Sequence, residues 1–505
     1  MHATTTACAL VGLEPVPVTV EVLVAGGLPA LHVVGLGDAA VMEAKERVRA
    51  ALKHGGWGLP PSRVTVNLAP ADLRKAGPGY DLAIALAVLA AQRLVPTGRL
   101  AAAVVVGELA LDGTVRGVPG VLAAALLARS TSAQVLVPAV HADEARLVAG
   151  VEVVPVATLT DAVAYVRSGR APPPPTDRPH APDPSEPALD LADVRGHAVA
   201  RRALEVAAVG EHPLLLVGPP GCGKSMLARR APGVWPPLDD ATAWTATLVR
   251  SAAGAPVTGM VRRAPFRAPH HGGSEAGLLG GGPALRPGEV TLAHGGVLFL
   301  DELPEWSRRA LEGLRQPLEE GVVALSRAHG RRTYPARFTL IAAMNPCPCG
   351  HDGDGAQPCR CHPSDRRRYQ GRLSGPLLDR FDLRLRLPRL GPDDVIGRAR
   401  GEASADVAAR VARARAVALA RQGCSNGRLT GAALDRHATL DPATTRLLAR
   451  AAAAGHVSAR GAERLRRVAR SLADLEGAPR VTAAHLAEAL AYRSEPFAPR
   501  GDERA

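Results

Sequence analysis

Gly218-Pro219-Pro220-Gly221-Cys222-Gly223-Lys224-Ser225 fits the pattern G-x-x-x-x-G-K-[ST] and follows the apolar run Pro213-Leu214-Leu215-Leu216-Val217. A buried strand that breaks into such a loop and then enters a helix is a phosphate cradle. The glycines let backbone N–H groups turn inward, and a helix starting near Lys224 adds the positive end of its dipole. Lys224 would reach the β- and γ-phosphates of ATP, and the Ser225 hydroxyl would hold Mg²⁺. Lys45, Lys53, Lys75 and Lys224 are the only lysines among 61 basic residues, so arginine is the default cation of this chain. A compact ammonium suits a phosphate cradle in a way a planar guanidinium does not.

Two further strand-like runs end in polar groups suited to the same reaction. Val297-Leu298-Phe299-Leu300 runs into Asp301-Glu302. Asp301 would anchor Mg²⁺ through its water shell, and Glu302 would orient and polarise an attacking water. Acidic residues often end strands, so this pair takes its weight from Lys224. Phe338-Thr339-Leu340-Ile341-Ala342-Ala343-Met344 ends at Asn345. The Asn345 amide could hold that water on the γ-phosphate side, or simply form a turn. Leu377-Leu378-Asp379-Arg380-Phe381-Asp382 sets an arginine between acids. Arg380 could pair with acids of its own chain, or reach a neighbouring subunit's γ-phosphate as an arginine finger.

Cys347 and Cys349, then Cys359 and Cys361, form two C-x-C pairs separated by nine residues rich in Gly, Asp and His. Four such thiolates could complete a tetrahedral Zn²⁺ shell, with His351 and His362 as substitute ligands, or they are reduced thiols in a loop. Four sulfur ligands leave no open position, so such a zinc would be structural. Arg262-Arg263-Ala264-Pro265-Phe266-Arg267-Ala268-Pro269-His270-His271 mixes cations with one aromatic, and with the following Gly280-Gly281-Gly282 and Arg286-Pro287-Gly288 it reads as hairpin loops. Arg262, Arg263 and Arg267 could bind nucleic-acid phosphates, Phe266 could stack on a base, and His270 and His271 could join them, bind metal or cap a turn. Arg366-Arg367-Arg368 reads as a solvated face.

The elements that position these groups fall into blocks. Strand-like runs at 16–24, 64–68, 104–106, 135–137 and 151–156 alternate with helical stretches at 39–54, 81–92, 122–129 and 142–148, an α/β pattern for residues 1–167. Residues 168–190 read as a Pro-rich linker, 191–388 as the core that carries the phosphate loop, and 389–505 as helical. A length of 505 residues suits about two to four domains. Aromatics are 3% of the chain, so the cores must be built from Ala, Val and Leu. The net charge of +13 favours a polyanionic partner, although arginine-rich usage alone would produce it. No apolar stretch reaches the ~18 residues that span a bilayer, which excludes a membrane helix. Met1-His2-Ala3-Thr4 lacks the basic start of a secretory signal. Seven cysteines, four of them clustered, argue for a reducing cytoplasm over a disulfide framework.

The blocks GPPGCGKS, FRAPHH, PGEVTLAHGGVLFLDELPE, AAMNPCPCG, RLSGPLLDRFDL and SARGAERLRRVARSLADL together resemble the YifB/ComM family of magnesium-chelatase-like AAA+ ATPases, and the likeness covers nearly the whole chain. The resemblance implies an α/β AAA+ core of the helix-2-insert type over 191–388 with a C-terminal helical lid over 389–505. It implies a ring, six-membered in the family, whose competence member is a DNA helicase that drives branch migration in recombination. It matches Lys224 and Ser225 to the phosphate loop, Asp301 and Glu302 to the Mg²⁺ and water residues, Asn345 to sensor 1, Arg380 to the finger and Arg460 to sensor 2. Cys222 departs from the more usual threonine, at a position that contributes mainly backbone N–H. Gly272-Gly273 departs from small hydroxylated residues. Residues 1–167, with Gly77-Pro78-Gly79-Tyr80-Asp81, are similar to a Lon-protease-like domain of ribosomal-S5-type fold. Its serine and lysine would fall at Gly79 and near Leu122, so peptidase chemistry is not expected and the domain reads as a binding or assembly module. The expected activity is ATP hydrolysis coupled to movement on single-stranded or branched DNA, with recombination proteins as partners. The alternative is a chelatase-type motor that remodels a protein.

Overall fold

The computed structural model describes residues 1–172, 189–282, 285–327, 330–354, 357–391, 401–454 and 457–493. Most of the expected linker at 168–190 lies outside the described residues.

The N-terminal sheet runs in the order Ala30–Val34, Arg63–Ala69, Glu14–Ala25, His2–Val11, Ala103–Val105, Gln134–Pro138, Val153–Val156. His2–Val11 and Glu14–Ala25 form a long antiparallel pair, while the strands from Ala103 onward join in parallel. The helix Asp81–Ala91 is buried along its whole length, as expected of a helix that is apolar on every side. Its first residue, Asp81, is satisfied by Arg47, whose Nε lies 2.6 Å from Oδ2, and by the Leu109 N–H.

The second sheet runs Phe266–Arg267, Val297–Leu300, Thr339–Met344, Leu214–Val217, Leu383–Arg386, with every pairing parallel. Leu214–Val217, Val297–Leu300 and Thr339–Met344 are buried throughout, the mark of parallel strands covered on both faces. Val217 pairs with Met344 and Leu300 with Ala342, so these three strands end along one edge. Ligands of open parallel sheets collect outside such carboxyl ends. Among the described residues 401–493 the regular structure is helical: Ser404–Gln422, Gly431–His437, Pro442–Ala453, Ala459–Leu475 and Ala483–Ala491. Two of these, Ser404–Gln422 and Ala459–Leu475, pack on the helix Ala198–Gly210 and share its apolar core.

The two sheet units meet through the helices Val121–Ser130 and Asp240–Ala252. Trp244 and Leu248 pack into the first unit's core. The Ser251 hydroxyl donates to the buried Glu144 carboxylate at 2.5 Å, and the Gly120 N–H donates to the Ser251 carbonyl at 2.9 Å. No helix among the described residues is long and apolar enough to cross a membrane.

Candidate nucleotide site

The phosphate loop leaves the Leu214–Val217 strand and enters a helix at Lys224–Ala228, as its spacing predicts. Gly221 and Gly223 hold φ of +75° and +92°, which L side chains rarely adopt. A Cβ at Gly218 would lie 2.6 Å from the Leu387 carbonyl oxygen, so the loop can pass there only as glycine. Pro219 and Pro220 stiffen the same turn. Cys222 is buried, and its carbonyl lies 2.7 Å from His197 Nε2.

Lys224 Nζ donates to the carbonyls of Gly218 at 2.7 Å and Pro219 at 2.8 Å and to Asn345 Oδ1 at 3.1 Å. Burial pushes the ammonium below its ordinary range, opposed by Cys222 and Asp301. A buried cation of this kind is stabilised by an anion. The Ser225 hydroxyl donates to Asp301 Oδ2 at 2.6 Å. A hydroxyl beside a carboxylate is an oxygen donor set of the kind Mg²⁺ takes. Asp301 is fixed from behind: its Oδ1 accepts the Glu302 N–H at 2.9 Å, and its carbonyl accepts Trp306 Nε1 at 3.1 Å. Glu302 itself sits at φ +49° with its carboxylate exposed. Strained backbone of this sort concentrates at functional sites. Thus two hydrogen-bonded pairs, Lys224 with Asn345 and Ser225 with Asp301, meet at the phosphate loop, with Glu302 next to Asp301.

Arg380 and Arg460 do not join that group. They line a separate cavity of about 480 Å³, together with Glu319, Arg464 and Arg467, and no phosphate-loop residue borders it. Arg380 Nη2 donates to Glu319 Oε2 at 2.7 Å, and its Nε is buried without a partner. Arg464 and Arg467 were not anticipated, although Arg460, Arg464 and Arg467 stand at i, i+4 and i+7 of the helix Ala459–Leu475 and so share one face.

The expectation of hairpin loops fails for Arg262 to His271. Phe266 and Arg267 are an edge strand of the second sheet, and the Phe266 ring stacks on Phe299 at 6.2 Å. Arg267 makes a bidentate pair with Glu289 at 2.5 and 2.7 Å, Arg262 pairs with Asp240, and Arg263 is exposed. The His270 and His271 rings lie 4.2 Å apart, tilted by 32°, and His271 Nδ1 lies 3.0 Å from Glu302 Oε2. This last contact brings a residue read as a nucleic-acid contact against the candidate water-activating carboxylate. The hairpin expected at the Gly-rich run does form, with Gly280–Gly281 paired antiparallel to Arg286–Pro287, and a second joins Val322–Arg327 to Gly330–Pro335. The second carries Arg327, Arg331 and Arg332, which no motif had marked.

The sulfurs of Cys347, Cys349, Cys359 and Cys361 all lie within 4.8 Å of one another. His351 and His362, the substitute ligands, are engaged elsewhere. His351 Nδ1 meets Asp354 at 2.9 Å, and His362 caps the helix Pro363–Gln370.

A five-stranded parallel sheet whose central strand, leading into Asn345, lies between the phosphate-loop strand and the strand leading into Asp301 defines a phosphate-loop nucleotide site. Comparison with known proteins identifies its kin. The family described as magnesium chelatase, subunit ChlI, matches residues 190–395, subunit ChlI of Mg-chelatase matches 20–141, and the subunit's C-terminal family matches 401–493. The uncharacterized protein YifB of Escherichia coli is 42% identical over 491 residues, covering 96% of each chain. Competence protein ComM of Haemophilus influenzae is 41% identical over 499 residues, again 96% of each. The uncharacterized protein Rv2897c of Mycobacterium tuberculosis is 45% identical over 495 residues, 95% of this chain and 96% of that one. The chain belongs to the YifB/ComM family of magnesium-chelatase-like AAA+ proteins, and this family implies ATPase activity with ATP and Mg²⁺.

Proposed function

We propose that the protein is a ring-forming ATPase that uses ATP hydrolysis to move DNA strands, in the cytoplasm, during homologous recombination or natural transformation. The observation that carries the ring is the split of one reaction's residues between two places. Lys224, Ser225, Asp301, Glu302 and Asn345 gather at the phosphate loop, while Arg380 and Arg460 gather in a cavity that loop does not border. A second copy, set head to tail, would bring the arginine cavity to the first copy's nucleotide, and contacts of that type that close make a ring. Six copies is the count of the family resembled.

In this reading Lys224 and the loop N–H groups bind the triphosphate, and the Ser225–Asp301 pair would hold Mg²⁺. The ion supplies charge neutralisation of the phosphates when bound. Asn345, tied to Lys224, orients the attacking water, and Glu302 takes its proton as the bond from the γ-phosphorus to the bridging oxygen breaks. Arg380 and Arg460 of the adjoining copy stabilise the charge that develops on the transferring phosphoryl group.

Several features support DNA as the track. The chain carries +13 net charge. Arg74, Arg286, Arg327 and Arg332 border a cleft of about 280 Å³ between the two sheet units, and among the described residues Asp38 is its sole acidic lining residue. A groove of one sign binds a backbone of the other. The relative ComM is named a competence protein, which points the same way. Peptidase chemistry has no support, because Gly79 offers no nucleophile and Leu122 is fully buried. The test is ATP turnover with and without forked or single-stranded DNA, with Lys224→Ala as the control. DNA should raise turnover in the wild type and Lys224→Ala should move no strands. Turnover that ignores DNA but rises with a porphyrin-pathway protein would replace this reading with the chelatase-type one.

A further inference from the structure

We propose that Cys347, Cys349, Cys359 and Cys361 bind one zinc ion, and that this zinc sets the shape of the nucleotide site. The cysteine geometry is that of a single-metal shell. Zn–S bonds of about 2.3 Å place the sulfurs of a tetrahedron about 3.8 Å apart. The Sγ separations are 3.4 Å for Cys347–Cys349 and 3.6 Å for both Cys347–Cys359 and Cys349–Cys359. A cluster of several irons would hold its four cysteines farther apart. The Cys349 N–H donates to Cys361 Sγ at 3.3 Å, a contact that supports a thiolate. All seven cysteines are free, so no disulfide competes for these sulfurs.

The surroundings assign the role. Asn345, bonded to Lys224, lies two residues before Cys347. Gly350, inside the cysteine loop, lies so close to the phosphate loop that a Cβ on it would stand 2.5 Å from Pro220 Cδ. The same loop is held to the neighbouring strand region through Asp354, which takes both Nε and Nη2 of Arg389 at 3.2 and 2.9 Å, and through the Asp352 carbonyl to Arg386 at 3.4 Å. A segment with little apolar packing of its own is thereby pressed between Asn345, Pro220 and the end of the Leu383–Arg386 strand. Four metal bonds give it the rigidity that contacts of this kind do not.

The metal stands on the cysteine geometry alone; the coupling rests on the ATPase reading above. Full-length protein purified under reducing conditions should contain about one zinc per chain by elemental analysis, released when a mercurial reagent blocks the thiols. Cobalt(II) exchanged into the same protein should show the charge-transfer bands of tetrathiolate coordination. Cys359→Ser with Cys361→Ser should abolish the zinc. Zinc-stripped wild type should bind a fluorescent ATP analogue at least about tenfold more weakly and recover on zinc addition. Protein that holds no zinc as purified and takes none up, or that holds iron instead, overturns the site. Zinc that is present but removable without changing nucleotide binding overturns the coupling. Zinc-loaded protein that binds nucleotide yet hydrolyses none counts against the ATPase reading and leaves the metal site standing.

Discussion

If the site is completed across a seam, two dead variants must rescue each other, and by a calculable amount. Lys224→Ala removes the ammonium that bridges Gly218, Pro219 and Asn345. Arg380→Ala removes a guanidinium from the other cavity and leaves the phosphate loop intact, because none of its residues borders that cavity. Loss of an arginine finger costs about 10³-fold or more in turnover, and loss of the loop lysine abolishes phosphate binding, so each variant alone is nearly inert. In an equimolar mixture, a seam is whole when its loop side comes from Arg380→Ala and its arginine side from Lys224→Ala. Each condition is met half the time, so about a quarter of the seams are whole when assembly is random and head to tail. Turnover should therefore rise to about a quarter of the wild-type rate, more than a hundredfold above either parent. The assay is steady-state phosphate release after the two variants are mixed and allowed to exchange subunits, with co-purification through a tag on one of them to show mixed assembly. Mixed assemblies that remain as inactive as their parents would refute the argument, since Arg380 would then serve its own chain.

Glu302→Gln should keep ATP affinity and lower turnover by about 10²–10⁴-fold, read by equilibrium binding beside phosphate release, because it removes the proton acceptor and leaves the cradle. His294 is buried, accepts the Arg337 N–H at 3.2 Å, and is pushed by burial and the Arg337 charge from 6.5 down to about 4. Its ring is neutral when folded and would protonate when unfolded as pH falls below 6.5, so its stabilisation is full above that value and is lost as pH falls toward 4. The loss amounts to about 3 kcal/mol. His294→Asn should flatten the fall in the denaturant midpoint over this window, and an unchanged fall would remove His294 as its cause. Ser251→Val should cost about 2 kcal/mol, because the buried Glu144 loses its hydroxyl partner where the sheet units meet. Limited proteolysis should then separate the units at lower temperature than in the wild type.

The phosphate loop and its two companion strands are legible in the sequence because chemistry and secondary structure coincide there. Val217, Leu300 and Met344 each end an apolar run where a polar group begins. The first strand, His2–Val11, escaped notice because its buried positions are small: Ala3, Thr5, Ala7 and Ala9 alternate inward with little hydrophobic signal. Phe266 misled for the opposite reason. Aromatic and arginine side by side suggest a nucleic-acid surface, but parallel pairing to Val297 and the Phe299 ring make Phe266 part of the sheet. Local sequence carries no information about that partner 33 residues away. The pairing of His271 with Glu302 was hidden in the same way, since it exists only once the strands holding them lie side by side.

The arginine cavity is also tied to the C-terminal helices by buried polar bonds, and this would constrain how the proposed ring moves. Asp382, two residues after Arg380, lies 2.8 Å from His212 Nδ1, and His212 Nε2 lies 2.8 Å from the Ser471 hydroxyl. Burial alone would raise the Asp382 pKa, but its bonds to His212 and the nearby Arg464 charge hold it below the ordinary carboxylate range. Asn426 links Ser471 onward to Asp474, which Arg421 and Arg470 hold in turn. A buried chain in which each member satisfies the next is costly to break at any one link. The helix Ala459–Leu475, which bears Arg460, Arg464 and Arg467, therefore cannot shift while the segment around Arg380 stays behind. In the proposed ring, Arg380 and Arg460 would then approach or leave a neighbour's nucleotide together, so a change caused by hydrolysis at one seam would reach the helices as a movement of both arginines at once.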